Sequence, residues 1–241
     1  MAGEAPGLFY GYVTQGIVQK EDITENGIKY IKQDGSVGYY QTVNKTTPVA
    51  GDVKYVDRNG DGVVDDNDRD IIGNPNPDFT YGFQTKVSWK SLSLSASFNG
   101  VQGRDILNVG NRYNNTPGTK SNNVTRKAFQ NMWTDENPSN LYPKSTFVVQ
   151  NMVMDRYVED GSYLRCSDIT LSYVLPAKWT NKIGIKNTSV YASVKNAFVI
   201  TDYSGYDPEV NSFAFDGLRP GVDMNSYPTP RSFVFGLNLT F

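Results

Sequence analysis

The sequence predicts an all-β fold: antiparallel strands of a transmembrane β-barrel with long loops at one end, against the alternative of a soluble β-sandwich. Three observations carry the expectation. The last stretch, Arg231 to Phe241, alternates strictly, with Phe233, Phe235, Leu237, Leu239 and Phe241 on one side and Ser232, Val234, Gly236, Asn238 and Thr240 on the other, as strand side chains at period two must. Residues 79–98 alternate in the same way on both sides of a turn at Lys90-Ser91. The connections between alternating stretches are short at one end and long at the other, the asymmetry of outer-membrane barrels.

Composition sets the outer limits. With 23 Lys plus Arg against 25 Asp plus Glu, no basic excess exists to neutralise phosphates, so no nucleic-acid partner is expected. The 241 residues contain no histidine, which removes histidine general bases, Ser/His/Asp triads and histidine-ligated zinc together. The single Cys166 closes no internal disulfide and builds no thiolate metal site. The 16 Tyr, 12 Phe and 22 Gly beside scarce helical periodicity favour strands. No apolar run is long enough for a membrane helix, a test that barrel strands escape because only every second residue is apolar. Met1-Ala2-Gly3-Glu4 has neither a basic start nor an apolar segment, so the expectation is a cytosolic protein or a piece of a longer precursor.

From the start, Gly7 to Lys20 reads as one or two short strands interrupted by Gly11 and Gly16, and Asp34-Gly35 turns a hairpin between Tyr30, Ile31 and Val37, Tyr39, Tyr40. Asp57 to Asp68, D-R-N-G-D-G-V-V-D-D-N-D, is the clearest chemical constellation. Oxygen side chains stand at positions one, three, five, nine and twelve (Asp57, Asn59, Asp61, Asp65, Asp68), Gly62 stands at six, and Val63 offers its carbonyl at seven. That is calcium-loop spacing, because a hard divalent cation takes several oxygens from one tight turn. The site departs from the EF-hand pattern in having Asp68 at twelve, as dockerin-type loops do, and no amphipathic helix precedes Asp57. A structural calcium ion is the expectation, against the alternative of a solvated acidic turn.

Asn74-Pro75-Asn76-Pro77-Asp78 breaks the chain before the next strand. Phe79, Tyr81, Phe83, Thr85, Val87 and Trp89 then share one face. After Lys90-Ser91, Leu92, Leu94, Ala96 and Phe98 alternate with Ser93, Ser95 and Ser97, a serine ladder suited to a wet interior. In the long connection 103–155, Val124 to Trp133 reads as a short helix capped by Asn122 or Asn123. Tyr157 to Leu175 and Thr188 to Ile200 are strands again, joined by a compact turn, Pro176 to Lys186, that holds Trp179. Trp89 and Trp179 both fall at the short-turn end, where an interfacial girdle puts aromatics. Thr201 to Pro230 is a second long loop.

With these residues in view, the chain resembles a known family. Gly51 to Phe83, Glu159 to Arg165 (E-D-G-S-Y-L-R), Tyr203 to Val210 (Y-S-G-Y-D-P-E-V) and Ser226 to Phe241 closely resemble the C-terminal part of SusC/RagA-type TonB-dependent outer-membrane transporters, and Phe9 to Ile17 fits the same register. The resemblance implies energised import of oligosaccharides or peptides across a Gram-negative outer membrane, with a SusD-like surface lipoprotein, the lipid bilayer and, through an N-terminal region missing here, TonB as partners. It implies a multi-pass outer-membrane protein and no enzyme. It makes residues 1–78 an extracellular loop region with short strands and the calcium-type loop, residues 79–241 the barrel strands and their loops, and Phe241 the signal read by the barrel-assembly machinery. Family members close 22 strands, so this chain is expected to be a fragment that does not transport alone.

Two other classes compete. A soluble, calcium-stabilised β-sandwich that binds glycans would use Trp133 or the aromatics of Tyr203 to Tyr206 as stacking platforms. A carboxylate glycosidase would rest on Asp155, Glu159 and Asp160 alone, which read better as a solvated strand entry.

Overall fold

The computed structural model describes residues 3–116, 123–145, 152–180, 185 and 187–240. Five long strands form one antiparallel sheet whose spatial order follows the chain: β1 (Phe79–Trp89), β2 (Leu92–Gln102), β3 (Tyr163–Val174), β4 (Asn187–Thr201) and β5 (Ser232–Thr240). The hairpin of β1 and β2 pairs without a slip from Phe79↔Gln102 to Trp89↔Leu92, leaving Lys90 and Ser91 as the turn. Lys90 takes φ of 52°, the left-handed value that a primed two-residue turn requires at its first position.

Register turns the period-two pattern into rows that run across the whole sheet. One row is Val87, Leu94, Leu171, Ala192 and Phe235, and its neighbour is Lys86, Ser95, Thr170, Ser193 and Val234. Further along, Trp89, Leu92, Tyr173, Val190 and Leu237 align beside a row of Ser88, Ser93, Ser172, Tyr191 and Gly236. One face is therefore predominantly apolar and the other predominantly polar, with Val234 on β5 an apolar residue in a polar row. The serine ladder lies on the polar face, as expected.

The pairing slips at two adjoining places. Between β2 and β3, Ser97 faces Asp168 but Phe98 faces Cys166, leaving Ser167 as a bulge whose hydroxyl donates to the Ser97 carbonyl at 3.1 Å. Between β3 and β4 the slip falls between Cys166 and Asp168, beside Asn196 with φ of 52°. Such bulges bend a strand and sharpen its twist.

Two compact units interleave in sequence: Met1–Asn76, Asp105–Glu159 and Asn211–Ser226 form one, and Pro77–Arg104, Asp160–Val210 and Tyr227–Phe241 the other. This differs from a division at residue 78. Only the middle parts of the long connections, Asp105–Glu159 and Asn211–Ser226, group with the N-terminal segment, while residues up to Val210 and from Tyr227 stay with the sheet.

The first unit is built from short pairs. Phe9–Gly11 pairs with Asp70–Gly73, Thr14–Ile17 with Val53–Tyr55, and Thr42–Val43 runs parallel to Val63–Val64. Gly27–Ile31 and Val37–Tyr40 form the hairpin around Asp34-Gly35, with Gly35 at φ of 82° and a five-residue connection from Lys32 to Ser36. Its core is tyrosine-rich: Tyr12, Tyr30, Tyr40 and Tyr55 are buried with Ile17, Val18, Val64 and Met154.

The connection after β2 holds two helices, α1 (Val109–Asn115) and α2 (Arg126–Asn131). The sequence pattern did not anticipate α1. It placed the start of α2 too early, since Thr125 is the cap, accepting the Ala128 N–H at 3.1 Å, while Asn122 lies outside the described residues. The helix stops before Trp133, which is buried and donates from Nε1 to the Gln19 side chain at 3.0 Å. The turn expected over 176–186 contains the short α3 (Ala177–Thr180), and residues 181–184 and 186 lie outside those described.

Candidate functional site

Two features carry chemistry, one in each unit. In the first, Val53–Tyr55 delivers the chain into the acidic loop. Asp57 is buried and accepts the N–H groups of Gly60 at 2.6 Å and Gly62 at 2.9 Å, one on each carboxylate oxygen. Gly60 and Gly62, at φ of 78° and 86°, turn those N–H groups inward. Asp61 accepts from the Val63 N–H and the Asn59 side-chain amide, and Asn59 accepts from the Asp61 N–H.

The end of the loop closes on itself. Asp66–Asp68 is a turn of 3₁₀ helix with Asp65 as N-cap, and Asp65 and Asp68 form a reciprocal capping box. Asp68, fully buried, also accepts the N–H groups of Arg58 at 2.7 Å and Asn59 at 3.2 Å. The loop is sewn to the core through tyrosine: the Tyr30 hydroxyl donates to the Asp57 carbonyl at 2.7 Å, and that of Tyr12 to Asp66 at 3.0 Å. Burial, with Asp57 and Asp68 nearby, pushes the Tyr30 hydroxyl up to about 12. Burial likewise raises the Asp57 carboxyl, helped by Asp68 and Asp61 and opposed by the Gly62 and Gly60 N–H groups.

Of the expected ligands, Asp57 and Asp68 are buried, Asn59 and Asp61 exposed, and Val63 and Asp65 in between. Among the described residues no three acidic or thiol side chains converge closely enough to hold a metal ion. The donor chemistry suits calcium, being oxygen throughout, and an ionised carboxylate has about four acceptor positions, so Asp57 and Asp61 each keep capacity beyond their present hydrogen bonds.

In the second unit the site is the two-faced sheet. Val87, Leu94, Leu171 and Phe235 on the apolar face are 64%, 46%, 45% and 79% exposed, and Trp89 and Trp179 also stand open at the short-turn end. Phe83 and Phe98 stack across β1 and β2 with centroids 4.5 Å apart. The opposite face holds ionised groups: Lys195 lies 2.6 Å from Asp168, which also accepts from Ser193 and Thr170 at 2.8 Å. Hydrocarbon against the first face and water against the second would satisfy both.

Sequence reasoning missed Arg165, Asp207 and Glu209 as a charge cluster. Arg165 lies in β3, while the two acids arrive from a loop far along the chain, so no local spacing links them. Asp155, Glu159 and Asp160 are all committed to protein hydrogen bonds, with Thr14, with Asn108 and Asn111, and with the Ser162 N–H. Phe241 lies outside the described residues.

Comparison with known proteins gives a consistent set. No protein-family model matches the chain. TonB-dependent receptor P3 of Formosa agariphila is 33% identical over 244 residues, covering 99% of this chain and 22% of that protein. TonB-dependent receptor P26 of the same organism is 35% identical over 201 residues, covering 80% of this chain and 20% of that protein. TonB-dependent receptor SusC of Bacteroides thetaiotaomicron is 34% identical over 194 residues, 78% of this chain and 17% of that protein. The chain thus spans about a fifth of the length of these curated relatives. Among solved structures, the RagAB peptide importer in its open-open state aligns with a TM-score of 0.65 and 26% identity, over 98% of this chain and 22% of that one. Its closed-closed state aligns with a TM-score of 0.66 and 25% identity, over 98% of this chain and 23% of that one.

Proposed function

We infer, from a chain whose sequence and fold are those of a segment of a SusC/RagA-type TonB-dependent receptor, that the five-stranded sheet is part of the wall of an outer-membrane barrel serving nutrient import. One observation carries the reading: the rows on one face of the sheet are predominantly apolar, those on the other predominantly polar, and the apolar face stands open. A soluble sandwich would need a second sheet over that face, and among the described residues none covers it. Among the described residues β1 and β5 end the sheet with one neighbour each. Unpaired ladder groups are not tolerated in hydrocarbon, so this wall needs further strands to close and does not import by itself.

The cargo we propose is an oligosaccharide or peptide. The partners are a SusD-like surface lipoprotein outside and TonB for energy, the latter engaged through a region other than the wall. The long connections of the strands belong on the extracellular side with the acidic loop, and Phe241 serves barrel assembly. We also propose that the acidic loop takes a structural calcium ion through Asp57, Asn59, Asp61, Asp65 and Asp68 with the Val63 carbonyl. The support is two buried carboxylates in one short turn, Asp57 and Asp68, whose mutual repulsion a cation would relieve.

The test is the detergent dependence of folding. The chain should give a folded β signal in circular dichroism only with detergent or lipid. A monomer that folds in plain buffer would mean that the apolar faces pack against each other, and would end the barrel reading.

A further inference from the structure

The segment Tyr203–Val210 carries a charge cluster that crossing a membrane does not require. Asp207, 4% exposed, accepts from the guanidinium Nη2 of Arg165 on β3, from the Glu209 N–H at 3.0 Å and, on its other oxygen, from the Thr229 N–H at 3.0 Å. Glu209 places Oε2 3.0 Å from Arg165 Nε, and its Oε1 accepts from the Tyr163 hydroxyl at 2.6 Å and the Asn99 amide at 3.1 Å. Between the two acids, the Pro208 carbonyl accepts from Arg104. Arg104 and Arg165 each stand 5.9 Å from the Tyr163 ring centroid. The ring of buried Tyr203 lies so close over Gly205 that a Cβ there would meet it at 2.3 Å.

We propose that Asp207, Pro208 and Glu209 form a latch, gripped by Arg165 and Arg104, that makes residues 203–210 a rigid post fixed to one end of β2 and β3. Two cations face two anions, so opening the latch would leave a buried guanidinium and two carboxylates without partners. Arg165 and Asp207, both buried, resist separation far more than a surface pair does. The loop must therefore release as a unit or not at all, and Tyr206, 73% exposed, is presented from a backbone that does not move. The latch rests on these contacts and not on the import reading.

Hydrogen exchange followed by mass spectrometry on the full chain in detergent micelles tests it. In the unaltered chain, peptides over 203–210 should exchange at least about tenfold more slowly than those over 213–219, as expected of a segment anchored by the buried Tyr203, Asp207, Pro208 and Val210 against one that has only local turn hydrogen bonds and no buried residue. Asp207→Asn should remove that protection at 203–210 and at Thr229 while β3 and β4 peptides stay unchanged. Glu209→Gln should remove less, since the amide still accepts from Tyr163 and Asn99. Equal exchange of 203–210 and 213–219 in the unaltered chain would overturn the latch, as would Asp207→Asn with full protection retained. Should Asp207→Asn fail to fold, the first comparison and Glu209→Gln decide the matter.

Discussion

Arg165 on β3 and Asp207, 42 residues further along the chain, form an ion pair whose side chains are only 6% and 5% exposed. The pair ties a loop to the one strand that lies at the centre of the sheet. Removing one partner of such a pair leaves an uncompensated buried charge, a loss of about 3–5 kcal/mol. Arg165→Ala should therefore destabilise the chain by about that amount, measured by denaturant titration in micelles, whereas Lys20→Ala at the open Lys20–Asp135 pair should leave the midpoint unchanged.

The same pair sets a pH dependence. Burial alone would raise the Asp207 carboxyl, but the Glu209 and Thr229 N–H groups and the Arg165 charge outweigh it and hold it below the usual carboxylate range. A group with a depressed folded pKa adds stability that is complete above its unfolded value, near about 3.9, and is lost as pH falls through the lower folded value. Protection of residues 203–210 should therefore persist at about pH 5 and disappear only below about pH 4. Loss of protection between about pH 5 and 7 would assign the transition to another group.

Adjacent residues should report opposite faces. Leu171 and Ser172 follow one another on β3, one in an apolar row and one in a polar row. Leu171→Arg should cost about 2–4 kcal/mol in lipid if it lies near the bilayer midplane, and Ser172→Arg much less. Equal costs, read from folding titrations in liposomes, would show that the two faces meet similar surroundings.

Calcium should bind the acidic loop. Isothermal titration calorimetry should show uptake at millimolar concentration or tighter, abolished by Asp57→Asn with Asp61→Asn. Heat-free titration would mean that the backbone N–H groups on Asp57 and Asp68 already meet the whole need of the loop.

Two glycines with positive φ should differ. Gly35, at φ of 82°, has no atom within 4 Å of where an added methyl carbon would stand, whereas at Gly27, at φ of 118°, a Cβ would stand 2.4 Å from the Tyr40 carbonyl oxygen. Gly35→Ala should cost about 1–2 kcal/mol, the left-handed penalty alone, and Gly27→Ala clearly more, because backbone must move. Thermal melts of the two variants check the order.

Much of this was legible along the chain. The faces of all five long strands follow from alternation, that of β3 through Ile169, Leu171 and Tyr173, and Lys90-Ser91 from the break between two alternating runs, because side-chain direction in a strand depends only on position in that strand. The loop of Asp57 to Asp68 was visible as a tight, acidic turn. Its hydrogen bonding was not: the spacing that suits a calcium ion also suits a capping box between Asp65 and Asp68, and both readings need the same residues.

Sequence by itself determined the strands, their two faces and the alternation of short and long connections, all properties of a few consecutive residues. Only the tertiary structure decided the bulges at Ser167 and Asn196, the tyrosine core beneath the acidic loop, and the meeting of Arg165 with Asp207 and Glu209. Each of these depends on groups far apart in the chain finding donors, acceptors or opposite charge at hydrogen-bond range. Such partners exist only after the backbone has folded, and no local pattern of residues encodes them.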